Sequence, residues 1–494
     1  MKRMNAQLLL SAILLTGYGS FSQTSIRTIT GIVTSYDESS PLEGVLVAVK
    51  GSNNQSGSQP DGIYYISVHP DDSVLIFSYS DFETQEIKIS GSNEYNITLK
   101  RAANQKKRTA PFPIGGWRGV FQLRKDLQVP FNFEISGTAP NDAKVFLMSA
   151  EEKFFAGNVK QSGDSLFIPL DQFDNELAFK IEGDKLYGVL RKQDKTGNPI
   201  PVFAEWGKAN RFDETGEKPV GNISGKFDVI FKGENGSDTK TVGLISQNGS
   251  KVRAVFLRTT GDSRFLEGII EGNKLYLSSF IGSSPSYYQA TINSDGTITG
   301  ETMGARGGQP FTGIRNEKAS LPDPYTLTNL KPGYTSFDFS FPNLEGKTIS
   351  PKDEKYRNKV LIVTITGTWC PNCLDEAAFL APWYKKNKQR GVEAIAIHYE
   401  RQLDSTYLKK VLTRFKDRFG IEYDEVIGGV ADKKQVAASL PSLNTFLAFP
   451  TILFIDKKGI VSKIYTGYTG PATGKYYEQF VKEFNDEVDH LLKK

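Results

Sequence analysis

The chain has 494 residues, with 60 Lys and Arg against 56 Asp and Glu and a formal net charge of +4. At about 150 residues per domain this is roughly three domains, and so even a charge balance gives no general electrostatic case for a nucleic-acid or other polyanionic partner. Both cysteines lie beyond residue 369, which excludes a disulfide-stapled scaffold and a structural zinc ribbon, since both need more thiols.

In chain order, residues 1–22 read as a secretory signal peptide: Lys2 and Arg3 precede an apolar run from Leu8 to Leu15, and small residues follow at Ser20 and Ser22. An exported protein of the periplasm or cell envelope is expected. The apolar run is far short of the roughly 20 residues that span a membrane, and none like it occurs later, so no transmembrane segment is expected.

Residues 24–100 form the first expected domain. Short β-branched runs at Ile29–Thr34, Val45–Lys50, Ile63–Val68, Val74–Tyr79 and Glu86–Ile89, mostly separated by Pro, Gly, Asn or Asp, predict a β-sandwich. The order Gly31-Ile32-Val33, Pro41-Leu42-Glu43-Gly44-Val45, Gly51, Asp61-Gly62-Ile63-Tyr64 and Phe77-Ser78-Tyr79 resembles the carboxypeptidase-regulatory-like module, which implies a spacer or docking role without catalysis. Residues 101–113, basic and without periodicity, read as a linker.

Residues 114–318 are expected to be a second β-rich domain with a loose internal repeat. Gly163-Asp164-Ser165-Leu166-Phe167-Ile168, Phe173 and Leu186-Tyr187-Gly188 are echoed by Gly272-Asn273-Lys274-Leu275-Tyr276-Leu277, Phe280 and Ile298-Thr299-Gly300. Two meanders facing each other would make a barrel or sandwich. Phe256 to Asp262 reads as a polar loop at its mouth, with no chemistry assigned.

Residues 325–494 change character. Near-continuous apolar strands at Lys359–Thr366, Val392–His398 and Thr451–Asp456, then Ile460–Thr466, are combined with helical patterns through Leu408, Val411, Leu412, Phe415 and Phe419, and through Tyr477, Phe480, Val481, Phe484, Val488 and Leu491. Such alternation predicts an α/β domain around a central sheet. At the carboxyl end of the first strand stands Trp369-Cys370-Pro371-Asn372-Cys373. Thiols at i and i+3 on the first turn of a helix can close a disulfide, with one sulfur outermost and the other turned inward. Unpaired N–H groups and the helix dipole favour a thiolate at Cys370, which would attack a substrate disulfide, leaving Cys373 to resolve the mixed disulfide. Zinc would need two further ligands, and only His69, His398 and His490 are on offer. An inert structural disulfide is the competing reading, weakened by the Trp and by the strand-to-helix setting.

Together with Phe449-Pro450-Thr451 at the start of a later strand, the motif resembles the thioredoxin fold, and Phe339 to Thr348 is similar to the exported TlpA/ResA branch. The resemblance implies that Pro450 is a cis proline facing the thiols, that the Phe449 backbone pairs with an extended substrate, and that Trp369, Pro371 and Thr451 line the same groove. It also implies an active-site carboxylate at Glu376, which one turn into the helix would face the side of Cys373 and manage its proton; the competing reading is a first-turn Glu that favours the helix dipole. Two positions depart from thioredoxins: Thr364 stands where a buried Asp is usual, and Ala378 where a kink proline is usual, with Pro382 further along. His398, Tyr399 and Glu400 close the second strand and approach the site if the two strands are parallel, although a His at a strand end is also simply solvated.

The fold expected is therefore multidomain, two all-β domains followed by a C-terminal α/β thioredoxin fold. The function expected is an exported thiol-disulfide oxidoreductase, a reductase of client proteins resupplied by a membrane thiol-electron donor. It would use no cofactor beyond the Cys370–Cys373 disulfide and no metal, and it would bind no nucleic acid. The alternative is a cell-envelope scaffold with a redox-sensing passenger domain. Peroxidase chemistry is disfavoured, because the Thr-x-x-Cys surroundings it normally needs are not seen.

Overall fold

Alternating burial along the strand Arg27–Ser35, with Ile29, Gly31, Val33 and Ser35 turned inward, sets the plan of the first domain. The computed structural model of the protein describes residues 27–36, 39–52, 54–59, 61–79, 82–102, 114–137, 142–233, 237–304 and 307–494. The expected signal peptide and residues 103–113 of the expected linker lie outside them. Arg27–Ser35 is flanked by Ile63–Val68 (antiparallel) and Ile97–Leu99 (parallel), and a second sheet runs in the order Gln55–Gly57, Leu46–Val49, Val74–Ser78, Gln85–Lys88. Ile29, Val33, Val47, Tyr64, Leu75 and Phe77 fill the core between the sheets.

The middle of the chain holds two antiparallel nine-stranded sheets, one from Gly115–Trp206 and one from Gly225–Arg315. In the second, Thr239–Asn248 pairs both with Gly225–Phe231 and with Lys251–Arg258, which closes the sheet into a barrel around Phe227, Phe231, Phe256, Leu277 and Phe311. The repeat legible in the sequence marks hairpin turns: Gly163 and Gly272 take φ of 61° and 54°, in the left-handed region that glycine occupies at no steric cost. The meanders do not share one face-to-face core as expected: the cluster around Phe227 and Phe311 is separate from the one around Phe121 and Phe131. They join where Phe280, from the second, enters the aromatic core of the first, 4.7 Å from Phe121 and 5.1 Å from Phe131 between ring centres.

The C-terminal sheet has the order Asp424–Val430, Val392–Glu400, Val360–Thr366, Thr451–Ile455, Val461–Thr466; its first three strands are parallel and the last two antiparallel to their neighbours. All seven residues of Val360–Thr366 are buried, because both faces are covered. Val360 and Ile362 pack with the helices Pro371–Asn387, Ser405–Phe419 and Lys475–Lys493; Leu361, Val363 and Ile365 pack against Val436 of the short helix Lys433–Ser439 and against Phe337 and Phe339. This is a thioredoxin fold. Among the described residues, no helix is long and apolar enough to cross a membrane.

Candidate active site

The central strand delivers Gly367-Thr368-Trp369-Cys370 to the top of the sheet, and the chain turns directly into the helix Pro371–Asn387. Cys370 is the N-cap, with extended backbone (φ −97°, ψ 121°), and Pro371, which lacks an N–H, takes the first helical position. The Cys370 carbonyl accepts from the N–H of Cys373 and of Leu374, both at 3.1 Å. Its thiol is uninvolved in capping and donates to the Phe449 carbonyl at 3.6 Å. Both cysteines are free thiols; Cys370 is 7% exposed and Cys373 fully buried. The Phe449–Pro450 peptide is cis. Thr451 opens the next strand, its hydroxyl donating to the Ala448 carbonyl at 2.8 Å. Trp369 packs edge-on against Phe449 (5.4 Å), with its indole N–H on the Tyr399 carbonyl at 2.9 Å.

Beneath the thiols lies a sealed polar cluster. Burial pushes the Cys373 thiol well above its ordinary value, the neighbouring Cys370 adding to the effect. Glu376 is 1% exposed, and its Oε1 has no hydrogen-bond partner among the described residues. Burial pushes its carboxyl up to about 8, with Thr364 and His398 pulling the other way. His398 is fully buried, with Nε2 3.0 Å from Glu425 Oε1 and Nδ1 3.7 Å from Glu400 Oε1. Burial works against its charge, yet the two carboxylates outweigh it and hold the imidazole up to about 9. Glu400, also fully buried, accepts the backbone N–H and the hydroxyl of Thr368, two residues before Cys370. The solvated reading of His398 is therefore overturned: parallel pairing sets Thr366 opposite His398 and carries the strand end under the motif rather than into water.

Residues 332–464 match the AhpC/TSA family, and residues 29–109 match the CarboxypepD_reg-like domain. The thiol-disulfide oxidoreductase ResA of Geobacillus thermodenitrificans is 30% identical over 135 residues, 27% of this chain and 69% of that protein. The chain belongs to the ResA-type thiol-disulfide oxidoreductases. A second ResA, from Bacillus anthracis, is 30% identical over 146 residues, 30% of this chain and 74% of its own. The solved structure of a putative thiol:disulfide interchange protein DsbE from Chlorobium tepidum is 19% identical, overlapping 32% of this chain and 99% of that one with a TM-score of 0.25.

In this ResA-type protein the fold brings together every residue singled out from the sequence: Trp369, Cys370, Pro371, Cys373, Glu376, Phe449, Pro450 and Thr451. Sequence reasoning missed Thr368 and Glu425, and it gave Glu400 only a place near the site. No local pattern marks Glu425, which sits on the edge strand Asp424–Val430, a run with two glycines and little apolar character. A cavity of about 900 Å³ between Leu257, Tyr325 and Tyr468 contains neither cysteine; a smaller one of about 210 Å³ is lined by Cys370.

Proposed function

We propose that the protein is an exported reductase that transfers electrons from the Cys370–Cys373 dithiol to disulfides of client proteins. The observation that carries this reading is the placement of the Cys370 sulfur 3.6 Å from the Phe449 carbonyl, beside the cis Pro450, with the second thiol buried one turn below. A client strand laid against the Phe449 backbone would set its disulfide in line with Cys370. The Cys370 thiolate attacks one client sulfur, the client S–S bond breaks, and the departing sulfur takes a proton from solvent. Cys373 then gives its proton to the Glu376 carboxylate and attacks the Cys370 sulfur, releasing the second client thiol. Two electrons pass to the client, and the enzyme is left with a Cys370–Cys373 disulfide. A membrane dithiol donor returns the electrons, so the cycle needs no dissociable cofactor.

Export rests on the N-terminal sequence, with its basic start and short apolar run. Reduction of insulin or of glutathione disulfide tests the chemistry: Cys370→Ser abolishes turnover, and unchanged turnover would overturn the reading. Cys373→Ala should accumulate mixed disulfides in cells, and their identity reports both the client and the direction of electron flow.

A further inference from the structure

Of the stretch Phe256 to Asp262, read from the sequence as a polar loop without chemistry, Phe256–Arg258 instead complete the strand Lys251–Arg258 with Phe256 in the barrel core, while the turn beyond it, through Gly261 and Asp262, lies on the Cys-Pro-Asn-Cys motif. In the amide orientation that gives both atoms partners, the Asn372 side chain donates to the Asp262 carbonyl (3.2 Å) and accepts from the Asp262 N–H (3.1 Å). The Asp262 carboxylate accepts the Gly470 N–H at 2.7 Å. Arg264 donates to the Pro371 carbonyl at 3.1 Å and pairs with Asp375 at 2.5 Å, while its other nitrogen pairs with Glu152 of the first meander. On the first meander Gln172 donates to the Thr368 carbonyl at 2.7 Å, and Asp174 pairs with Lys410 and Arg414 of the helix Ser405–Phe419. The approach is close enough to require glycine: a Cβ on Gly261 (φ +130°) would stand 1.8 Å from the Asn372 side-chain amide, and one on Gly467 would stand 2.9 Å from the Thr259 carbonyl.

These contacts fall on the residues that form the thiol site. Thr368, Pro371, Asn372 and Asp375 are each held by a group from the β domain. Arg264 is 6% exposed between two carboxylates that are each 14% exposed. A buried ion cluster of this kind adds little net stability beside an apolar contact, but it permits few alternative geometries. It fixes where the β domain sits over the helix start. The consequence for Cys370 is a roof: the sulfur opens into the cavity of about 210 Å³, walled by Ser263, Arg264, Phe280, Ser283 and Ser286. That volume is below the roughly 300 Å³ at which pockets for drug-sized ligands begin.

We propose that Arg264 and Asp262 are specificity-determining residues, holding the β domain as a roof over Cys370 so that the site admits a disulfide on a slim protruding segment and turns away one on a broad folded surface. The proposal rests on the reductase reading for its clients. Its geometry is independent of that reading, because the roof restricts any thiol reagent.

The test uses the full-length dithiol protein and two reagents with the same reactive group, N-ethylmaleimide and a polyethylene-glycol maleimide of several kilodaltons, with adducts counted by mass. If the bulky reagent reacts only through a minor lifted state, it lags N-ethylmaleimide by at least about tenfold more than it does on a free cysteine. Arg264→Ala leaves Asp375 and Glu152 facing each other, and Gly261→Val drives a side chain into Asn372. Either substitution should bring the rate ratio toward the free-cysteine value, and Gly261→Val does so without removing any of the buried charged groups. In the same variants turnover of insulin should rise relative to glutathione disulfide. Equal labelling of the wild type by both reagents, or a ratio that neither variant changes, would overturn the roof. Because labelling needs no turnover, loss of the reductase reading alone would show as a size-dependent labelling rate with no disulfide reduced.

Discussion

The carboxylate of Glu400 accepts both the backbone N–H and the hydroxyl of Thr368, each at 2.8 Å, and so fastens the end of the parallel strand Val392–Glu400 to the loop that carries Cys370. Both residues are buried, so neither group of Thr368 can fall back on water if the carboxylate is removed. Glu400→Ala should therefore cost about 2–4 kcal/mol, the range for leaving two buried donors without their acceptor. Glu400→Gln, which keeps an acceptor, should cost less. Urea unfolding near neutral pH measures this, and a loss of under about 0.5 kcal/mol for the alanine variant, the size of an ordinary surface substitution, would refute it.

The contrast between Glu400 and Glu376 shows what could be read from the sequence. Glu376 lies three residues from Cys373 on one helix, and helical periodicity alone puts it on the thiol's side. The long apolar strands and the Cys-x-x-Cys turn are equally local signals, and so the thioredoxin fold and the thiol site were legible. Glu400, Glu425 and Arg264 reach the site through strand order and domain docking, which depend on contacts far apart in the chain. Arg264 is 107 residues from the Pro371 carbonyl it holds, and no period or spacing encodes that meeting. The strand Asp424–Val430 escaped for a physical reason as well: it is an edge strand whose residues, apart from Val426, are only partly buried, so it lacks the apolar run that marks its neighbours.

His398 makes stability depend on pH. Its folded value of about 9 lies above the ordinary 6.5, so the folded state holds this proton more tightly than the unfolded chain does. Its contribution is fully present below pH 6.5 and is lost as pH rises through about 9. The groups facing it are Glu400 on its own strand, Glu425 on the neighbouring strand and Glu376 on the helix. Glu376 is raised too, from 4.5 to about 8, and its proton is likewise held more tightly in the folded state, so both groups favour the acid side of this window. The His398 contribution alone should fall by about 2–3 kcal/mol between pH 6.5 and pH 9, and Glu376 adds to the loss in the same direction. His398→Gln should be less stable at the acid end and should show a flatter profile. Denaturant midpoints across this range decide it, and an unchanged slope in the variant would sink the assignment.

Trp369 forms the back wall of the proposed client groove. Its ring meets Phe449 edge-on at 5.4 Å, and the Arg401 guanidinium lies 5.4 Å from the ring centre on the other contact. Trp369→Ala removes the aromatic support under the residue whose carbonyl the Cys370 thiol touches. An aromatic pair is worth about 1 kcal/mol beyond its buried area, so kcat/KM for insulin should fall about fivefold, mostly through KM. Glutathione disulfide, which makes few contacts along the groove, should be less affected. An equal loss on both substrates would place the effect on the thiol itself.

Glu376 offers the most direct test of how the resolving thiol loses its proton. The carboxyl is sealed from water with one oxygen unpartnered, and burial holds it up to about 8. Near neutral pH it is therefore mostly protonated, and the carboxylate that could accept the Cys373 proton accumulates as pH rises toward 8. The resolving step should accelerate over that interval. Glu376→Gln keeps the size and burial but has no basic form, so the acceleration should vanish and resolution at the alkaline end should slow by about 10²-fold, the lower bound for positioned acid–base catalysis. The comparison is made by stopped-flow, following the change in Trp369 fluorescence as the Cys370–Cys373 disulfide forms. A variant slowed by the same factor at every pH would assign Glu376 a packing role, whereas loss of the rising limb would assign it the proton.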